Sequence, residues 1–441
     1  MTEKILLGHP HPLNKLQFES IITKYFRGKK MKFKSIFSVF IALVLFLSPA
    51  CSAPSENSDE ELNLGADFMR GFDASMVSQL EEYGSSFYNE NGTNEDIFKI
   101  LKVHGVNWIR LRIWNAPQDS TPGQNNYERT LAMAKRIKQN GLNFLLDFHY
   151  SDNWADPAKQ SIPAEWDNVS SIEELCSKVS EYTKKILADL KSKGCAPDMV
   201  QIGNEINSGM FLTKSDGTTA SSIDCYSWTE HTEGNKNLLK VLQSASSAVS
   251  EIDSSIKKMI HLASSKGDNF DWWFRNLQNL KGVDYDYIGL SYYPFEEHGT
   301  LKQLRENIAY LKKTYKKQVL VAETSWAWSM EAYGDSTNNI VWYEPAGIQA
   351  AKNLVDSKST QLKNLKTQTY NGKKCVQASV QNQATVVKVI MEATSNAGGC
   401  GVFYWGGDWI PNSKIKDTWE NQTLFDLKGK ALESLNVFLT E

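Results

Sequence analysis

The feature that most constrains the fold is a repeated alternation of short apolar runs with amphipathic stretches, beginning near residue 62. Apolar runs of about four to eight residues between turn residues are typical of buried strands, and apolar spacings of three and four are typical of helices. The predicted strands span residues 68–75, 106–114, 142–149, 198–203, 258–263, 285–290, 318–322 and 400–405. The predicted helices span residues 94–104, 126–140, 171–193, 235–252, 268–280, 301–315, 382–397 and 429–438.

These elements make eight strand–helix units in about 380 residues, which fits a (β/α)8 barrel with insertions. Strict alternation of strands and helices implies a parallel sheet, so a doubly wound open sheet is the alternative. The count of eight and the polar residues that close nearly every strand favour the barrel. We therefore predict an α/β fold, a single (β/α)8 TIM barrel, over residues 62–441.

Two of the predicted strands end in a carboxylate. The fourth is followed by Asn204 and Glu205, and the seventh by Glu323. The carboxyl ends of barrel strands lie on the face where barrel enzymes place their catalytic groups. Two carboxylates across such a mouth are what glycoside hydrolysis requires. A lone glutamate after a strand is more often a solvated loop residue, but the pair, in a chain with 13 Trp, favours catalysis.

The composition is that of a globular protein without a nucleic-acid partner. The formal net charge is -3, which leaves no basic excess to neutralise phosphates. The chain has 13 Trp and 17 Tyr, whose flat apolar faces and polar edges suit stacking on sugar rings, although aromatic residues also fill cores. We expect a monomer whose partner is a polysaccharide.

The N-terminal region has the pattern of an export signal. Residues 31–51 combine a basic start with an apolar run that is too short for a stable membrane span. They end at Cys51, which is placed as in a bacterial lipoprotein, and residues 52–61 have the composition of a flexible linker. Residues 1–30 carry no usable pattern and are interpreted as an over-extended start. We expect an outer-membrane or cell-surface lipoprotein whose only membrane contact is its lipid; a secreted or periplasmic protein is the alternative.

Side chains at the strand ends form the predicted substrate site. Alternation along the second strand points Arg110 and Arg112 into the barrel, where an arginine beside a carboxylate favours its ionised form. For either arginine, a structural ion pair is the alternative to a role in the site. For His149, which we expect to bind a sugar hydroxyl, the alternative is that it only caps the barrel. The residues predicted to contact substrate are Arg112, Trp114, His149, Asp152, Trp154, Trp326, Trp405 and Trp409. Aromatic faces at several points of a groove favour cleavage within a chain over trimming of its ends.

Several blocks of the chain, in the right order, resemble the endo-β-1,4-galactanases of glycoside hydrolase family 53, within clan A. The resemblance covers residues 68–411 and is carried by residues 71–75, 105–114, 145–157 and 292–295, together with Asn204, Glu205 and Glu323. One block departs from the family pattern: residues 405–409 are Trp-Gly-Gly-Asp-Trp where the family tends to carry Trp-Glu-Pro-Ala-Trp. This departure bears on the sugar contacts on that side and not on the catalytic pair.

The resemblance implies a retaining mechanism with Glu205 as acid/base and Glu323 as nucleophile. It also implies that Asn204 binds the sugar 2-hydroxyl and that Arg110 and Tyr293 support the nucleophile. The implied substrate is β-1,4-galactan, as in type I arabinogalactan of pectin. Another clan A endo-β-glycanase, acting on mannan or β-glucan, is the alternative enzyme. A non-catalytic glycan-binding surface lipoprotein is the alternative from another class.

No metal or other cofactor is required by this chemistry. Some bacterial relatives carry calcium in the loop after the seventh strand, where Asp335 and Asn338 offer oxygen ligands, although polar loops of this kind are commoner than calcium sites. None of the six cysteines lies in a zinc-type cluster.

Overall fold

The structure, a computed structural model, describes residue 62 and residues 64–118, 121–220, 223–264, 266–329, 344–415 and 419–439. The predicted export signal, the linker and Cys51 lie outside the described residues, and so do Asp335 and Asn338. Within the described part of the chain, no helix is long and apolar enough to cross a membrane.

The central element is a closed barrel of parallel strands. The barrel strands are Met69–Asp73, Trp108–Ile113, Asn143–Phe148, Met199–Ile202, Lys257–Ala263, Tyr287–Ser291, Gln318–Thr324 and Gly401–Tyr404. Each strand pairs with the next one along the chain, and the first pairs in parallel with the last. An open doubly wound sheet has two unpaired edges, so this closure confirms the predicted (β/α)8 barrel and excludes the alternative.

Helices follow the strands. The described α-helices are Val77–Glu82, Ile97–Val103, Tyr127–Gln139, Ile172–Ser192, Thr232–Ile252, Asp271–Asn276, Leu301–Tyr315, Glu344–Asn353 and Val380–Asn396. Several begin at side-chain caps that satisfy otherwise unpaired backbone N–H groups. The side chains of Asn126, Ser171 and Ser379 each accept a hydrogen bond from the third helical amide. The side chains of Thr300 and Gln303 each accept a hydrogen bond from the other's backbone N–H, which fixes the start of the next helix. The predicted bounds of this helix, 301–315, are confirmed.

Two predicted helices differ from the structure. Residues 268–280 form a short α-helix, Asp271–Asn276, and then a 3-10 turn, Gln278–Leu280, because Asn279 adopts a positive φ of 55°. Residues 429–438 contain a 3-10 helix, Glu433–Phe438, in place of an α-helix. Apolar spacing reports which side chains are buried, and it does not distinguish these tighter helices from an α-helix.

The alternation pattern also missed a β-hairpin outside the barrel. Strands Thr367–Tyr370 and Lys373–Val376 pair in antiparallel fashion. Most of their residues are exposed and polar, so they give no apolar alternation. The turn between them, Asn371 and Gly372, has positive φ at both positions, and Asn-Gly is the strongest short-range hairpin signal.

The barrel interior is filled toward the amino ends of the strands. A buried cluster inside it consists of Met69, Leu145, Met199, Met259, Leu320, Ala322 and Phe403. Gly71 makes room for one of them, since a Cβ at this position would lie 2.1 Å from the ring of Phe403. The larger cluster lies outside the strands, between barrel and helices, and includes Ile109, Leu111 and Ile113. The packed amino end leaves the carboxyl end of the barrel as the place for a site.

Candidate active site

A cavity of about 640 Å³ opens at the carboxyl ends of the strands. Its lining residues are Arg110, Arg112, Thr121, Pro122, His149, Asn153, Trp154, Ala155, Asp156, Lys159, Asn204, Glu205, Tyr293, Glu323, Trp405, Trp409 and Trp419. The two glutamates that follow the fourth and seventh strands therefore line one pocket. Parallel strands bring their carboxyl ends together, which is why residues more than a hundred positions apart in the chain meet here.

Glu205 is held in a sharp turn at the end of the fourth strand. Its backbone is left-handed, with φ 48° and ψ 52°, and Gly203 just before it has φ 78°. A non-glycine residue in this region is uncommon, and such strain is concentrated at functional sites. Gly203 cannot carry a side chain here, because a Cβ would lie 2.6 Å from Ile206. The turn is thus built to present the Glu205 side chain at the pocket.

Glu323 is buried and held by two donors. The Tyr293 hydroxyl donates to its Oε2 over 2.9 Å, and the Arg110 guanidinium lies 2.9 Å from its Oε1. Burial raises the pKa of Glu323, while the Arg110 charge and the Tyr293 hydrogen bond oppose this rise. Both carboxylate oxygens are therefore oriented, and the positive charge beside them favours the ionised form.

Arg110 is the centre of a buried ionic network. Its side chain is 1% exposed and lies within 3.0 Å of carboxylate oxygens of Asp73, Asp147 and Glu323. It also donates to Asn204 over 2.8 Å. The burial of this guanidinium lowers its pKa, but the three carboxylates outweigh that effect and raise it. Arg110 is therefore a permanent cation, and it connects the environments of Glu323 and Asn204.

The two glutamates differ in their charged neighbours. Burial, together with the nearby Glu323 carboxylate, raises the pKa of Glu205 to about 8, and Asp156 adds to the rise. Arg110 opposes it, but in the structure that cation pairs directly with Glu323. One carboxyl that holds a proton at neutral pH beside one that is stabilised as an anion is the arrangement that acid/base chemistry needs.

His261 and Ser291 also belong to the site, and the sequence reasoning missed both. The Nδ1 of His261 lies 2.9 Å from the Asn204 Oδ1 and 3.0 Å from the Gln201 amide nitrogen. The Asn204 Oδ1 already accepts hydrogen bonds from Arg110 at 2.8 Å and Gln201 at 3.0 Å, so the Gln201 N–H is the better partner for this Nδ1. The backbone N–H of Glu205 points to the Nδ1 of His261 over 3.4 Å. We therefore assign the proton of this neutral imidazole to Nε2, which lies 3.0 Å from the Ser291 hydroxyl.

With this proton on Nε2, His261 donates to the Ser291 oxygen. The Ser291 hydroxyl then donates its own proton to the carboxyl of Glu205. Its hydrogen bond lowers the pKa of Glu205, against the effect of burial. Burial holds the pKa of His261 itself well below the ordinary histidine value, so the ring stays neutral at pH 7. The sequence did contain a signal for His261 and Ser291. Alternation along their strands places both side chains on the inward face of the barrel, as it does Arg110.

Four indole rings form one wall of the pocket. The Trp405 ring lies 6.2 Å from Trp154, 4.8 Å from Trp409 and 4.4 Å from Trp419, measured between centroids. The Arg112 guanidinium lies 4.2 Å from the centroid of the Trp154 ring, so this predicted contact residue also orients an aromatic face. Trp419 was not predicted, because it lies in a long segment after the last strand rather than at a strand end.

Three predicted substrate contacts need correction. Trp114 and Trp326 are both 0% exposed and do not line the pocket, so they pack behind its wall. Both carboxylate oxygens of Asp152 accept hydrogen bonds from backbone amides, those of Ala116 and Ala164, at 2.8 Å. Its role in the structure is thus to hold loops together. A position near a strand end does not by itself fix the direction of a side chain.

His149 lines the pocket with its ring held by neighbours. Its Nδ1 accepts a hydrogen bond from the Trp114 indole at 3.0 Å, and its Nε2 lies 3.1 Å from Asp147. The buried Trp114 thus positions His149 instead of contacting substrate directly.

Residues 406–408, where the chain departs from the family pattern, do not line the pocket. Asp408 is 0% exposed and accepts a hydrogen bond from the Met76 amide at 2.9 Å. Gly407 lies against Phe72, where a Cβ would be 2.5 Å from the ring. The flanking Trp405 and Trp409 nevertheless both line the pocket.

No metal centre is evident among the described residues, which contain no group of three or more His, Cys, Asp or Glu side chains suited to an ion. Among the described residues, Cys176, Cys195, Cys225 and Cys400 are not joined to one another in disulfides.

A parallel barrel that carries two glutamates in one aromatic pocket at its carboxyl end has the fold and the acidic pair of a glycoside hydrolase. The family model for Glycosyl hydrolase family 53 matches residues 69–438. The chain belongs to this family, as its resemblance predicted.

Similar proteins agree with this assignment. An endo-beta-1,4-galactanase of Bacillus subtilis is 35% identical, over 85% of this chain and 86% of its own length. An arabinogalactan endo-beta-1,4-galactanase of Thermothelomyces thermophilus is 32% identical, over 84% of this chain and 98% of its own. The solved GH53 catalytic domain of Ignisphaera aggregans is 37% identical, with a TM-score of 0.72, and the match covers 86% of this chain and 97% of that domain.

Proposed function

We propose that this member of glycosyl hydrolase family 53 is an endo-acting, retaining galactanase that hydrolyses β-1,4-galactosidic bonds in galactan and type I arabinogalactan. The observation that carries the proposal is the pair Glu205 and Glu323, which line one pocket: Glu323 pairs with Arg110, and the pKa of Glu205 is raised to about 8. The galactanases named among the similar proteins support the choice of substrate.

In the first half-reaction, Glu323 attacks the anomeric carbon and forms a glycosyl ester while Glu205 gives its proton to the departing glycosidic oxygen. The bond between that carbon and the leaving oxygen breaks, and Glu205 becomes ionised. In the second half-reaction, Glu205 takes a proton from water, the water oxygen attacks the anomeric carbon, and Glu323 is released. Two inversions give net retention.

The neighbours of each glutamate match these roles. Arg110 and Tyr293 hold both oxygens of Glu323 in place and stabilise its charge before attack and after release. The Ser291 hydroxyl stabilises Glu205 as an anion, which is the state reached when it has given up its proton. We assign the sugar 2-hydroxyl to Asn204, whose Oδ1 and Nδ2 are fixed by Arg110 and the Ala155 carbonyl at 2.8 Å each.

The indole wall supports cleavage within a chain. Trp154, Trp405, Trp409 and Trp419 present apolar faces along one side of the cavity, which suits several consecutive sugar rings. Polar groups beside them, such as His149, would discriminate the axial 4-hydroxyl of galactose from an equatorial one, because an inverted hydroxyl leaves a buried partner unpaired.

A panel of polysaccharides with product sizing tests the proposal. We expect rapid loss of viscosity and short oligosaccharides from β-1,4-galactan, with little release from cellulose or mannan. Equal rates on mannan or β-glucan would overturn the substrate, and galactose as the only early product would overturn the endo mode. Binding without any release of reducing ends would favour the non-catalytic alternative.

We also propose that the enzyme is exported and anchored through a lipid on Cys51. Its position after a basic and apolar segment, before the acidic linker 52–61, supports this address. The wild-type protein in its native cells should partition into detergent, and Cys51→Ala should release it into the aqueous phase. A wild-type protein that is wholly aqueous would contradict the anchor.

A further inference from the structure

Two stacked indoles lie outside the catalytic pocket. The rings of Trp228 and Trp272 are parallel within 3°, with centroids 5.6 Å apart. Trp228 is 40% exposed, and it is the one tryptophan among the exposed large hydrophobic residues of the described chain; the others are Val103, Val355 and Leu439. Neither stacked ring lines the pocket. The observation that singles out this ring is its parallel stacking on a second indole, which leaves an aromatic surface at the protein exterior.

Hydrogen bonds hold the inner ring of the pair and the backbone that carries the outer ring. Trp272 donates its indole N–H to Asp268, which fixes the inner ring. The carbonyl of Trp228 accepts a hydrogen bond from Asn235 at 2.9 Å, and that of Ser227 accepts one from Asn276 at 3.1 Å. The backbone that carries the outer ring is therefore fixed, and the ring itself stacks on the held indole of Trp272.

The pair lies on the acid/base side of the active-site face. Trp228 belongs to the loop after the fourth strand, and Trp272 lies in the first turn of the helix after the fifth, Asp271–Asn276. The Ser227 amide donates to the Ser208 carbonyl over 3.1 Å, which ties this loop to the turn that follows Glu205. Since both loops leave carboxyl ends of strands, the stacked pair and the pocket open at the same end of the barrel.

We propose that Trp228, supported by Trp272, is a secondary binding platform for the part of a galactan chain that extends beyond the pocket on the leaving-group side. The inference rests on the proposed function. Glu205, which protonates the leaving oxygen, and the Trp228 loop both follow the fourth strand, so a chain that leaves the pocket past Glu205 runs toward the platform. The flat apolar face of a pyranose ring stacks on an exposed indole.

A second copy of the chain is a less suitable occupant. A stable protein interface buries roughly 800 Å² on each partner, far more than one partly exposed indole offers. A sugar ring, in contrast, is about the size of the exposed ring face.

The test compares two substrates in wild type and Trp228→Ala. One substrate is long β-1,4-galactan. The other is a nitrophenyl galacto-oligosaccharide, whose leaving group carries no sugar and so cannot reach the platform. We expect the ratio of kcat/KM on galactan to kcat/KM on the aryl glycoside to fall by about 2- to 10-fold in Trp228→Ala, from the loss of one stacking face. Trp228→Phe should restore much of the ratio.

Val103→Ala is the matched control. Val103 is 61% exposed and ends a helix that leads into the amino end of the second strand, away from the pocket. Its ratio should equal that of wild type. An unchanged ratio in Trp228→Ala, while wild type cleaves galactan, would overturn the platform alone. A wild type that does not cleave galactan would overturn the proposed function first. Loss of a dimer in sedimentation of Trp228→Ala, with the ratio unchanged, would assign the ring to self-association and likewise overturn the platform.

Discussion

Arg110 and Glu323 form a buried ion pair, with 2.9 Å between Nη1 and Oε1. The same guanidinium lies 3.0 Å from Asp73 and 2.8 Å from Asp147. One cation therefore serves three carboxylates that come from the first, third and seventh strands. This ion pair favours the ionised form of Glu323, while burial raises the pKa of Glu205 to about 8, so that Glu205 holds a proton.

We predict that the two glutamates respond differently to substitution. Glu323→Gln should lower kcat by about four orders of magnitude or more, because an amide cannot form the glycosyl ester. Glu205→Ala should lower kcat on galactan by about 10²- to 10⁴-fold, since the leaving oxygen loses its proton donor. On a nitrophenyl glycoside, Glu205→Ala should keep its first half-reaction, and azide should accelerate turnover. A retained (β) galactosyl azide from Glu323→Ala, with the inverted azide from Glu205→Ala, would reverse the two roles.

We predict that the alkaline limb of kcat/KM belongs to Glu205. Its proton is required for the first step, and its pKa is raised to about 8, so activity should persist below this pH and fall tenfold per unit above it. Ser291→Ala removes a hydrogen bond to the anion, which should raise this pKa further and move the limb to higher pH. The measurement is a pH profile on galactan.

The matched control for this shift is Ser246→Ala. Ser246 is also a buried serine, but its hydroxyl donates to the Asp284 carbonyl, away from the pocket. Its pH limb should coincide with that of wild type. A limb that stays in place in Ser291→Ala would show that the Ser291 hydroxyl does not stabilise the Glu205 anion.

We predict that Arg110→Met destabilises the fold as well as the reaction. The substitution leaves three buried carboxylates without their cation, and loss of one partner of a buried pair costs about 3–5 kcal/mol of unfolding free energy. Urea denaturation measures the loss. In the control Arg275→Met, a surface pair with Asp271 is removed, which should cost less than about 1 kcal/mol. Equal losses in both variants would contradict the central role of Arg110.

We predict that Trp419→Ala and Trp326→Ala have opposite signatures. Trp419 lines the pocket, so its loss should raise KM on galactan by about 2- to 10-fold and change stability little. Trp326 is 0% exposed, so its loss should leave a cavity that costs about 3–5 kcal/mol. Kinetics and urea denaturation on both variants separate the two effects. A raised KM in a fully stable Trp326→Ala would restore that residue to the substrate site.

The arrangement of the barrel was accessible from local patterns. Apolar runs of period two and of period 3.6 report strands and helices because each period places apolar side chains on one face. Eight repeats of that unit predict closure, and a closed parallel barrel gathers all strand ends at one mouth. For this reason Glu205 and Glu323 could be paired before any distance was known, and Arg110 could be placed on the inward face by alternation alone.

The family resemblance added the substrate, which physical patterns could not supply. Stacking on indoles does not distinguish galactose from other hexoses, because each offers an apolar ring face. The hydroxyl contacts that do distinguish them depend on side-chain positions at the level of tenths of an ångström.

By itself, then, the sequence determined the strand order, the closed barrel and the acidic pair, since these follow from periodicity and chain order. Only the tertiary structure decided which aromatic side chains face the cavity: Trp419 enters it from a distant segment, while Trp114 and Trp326 pack behind the wall. It likewise decided that Ser291 and His261 reach Glu205. The physical reason is that side-chain direction is set by packing among several elements, which no spacing along a single element records.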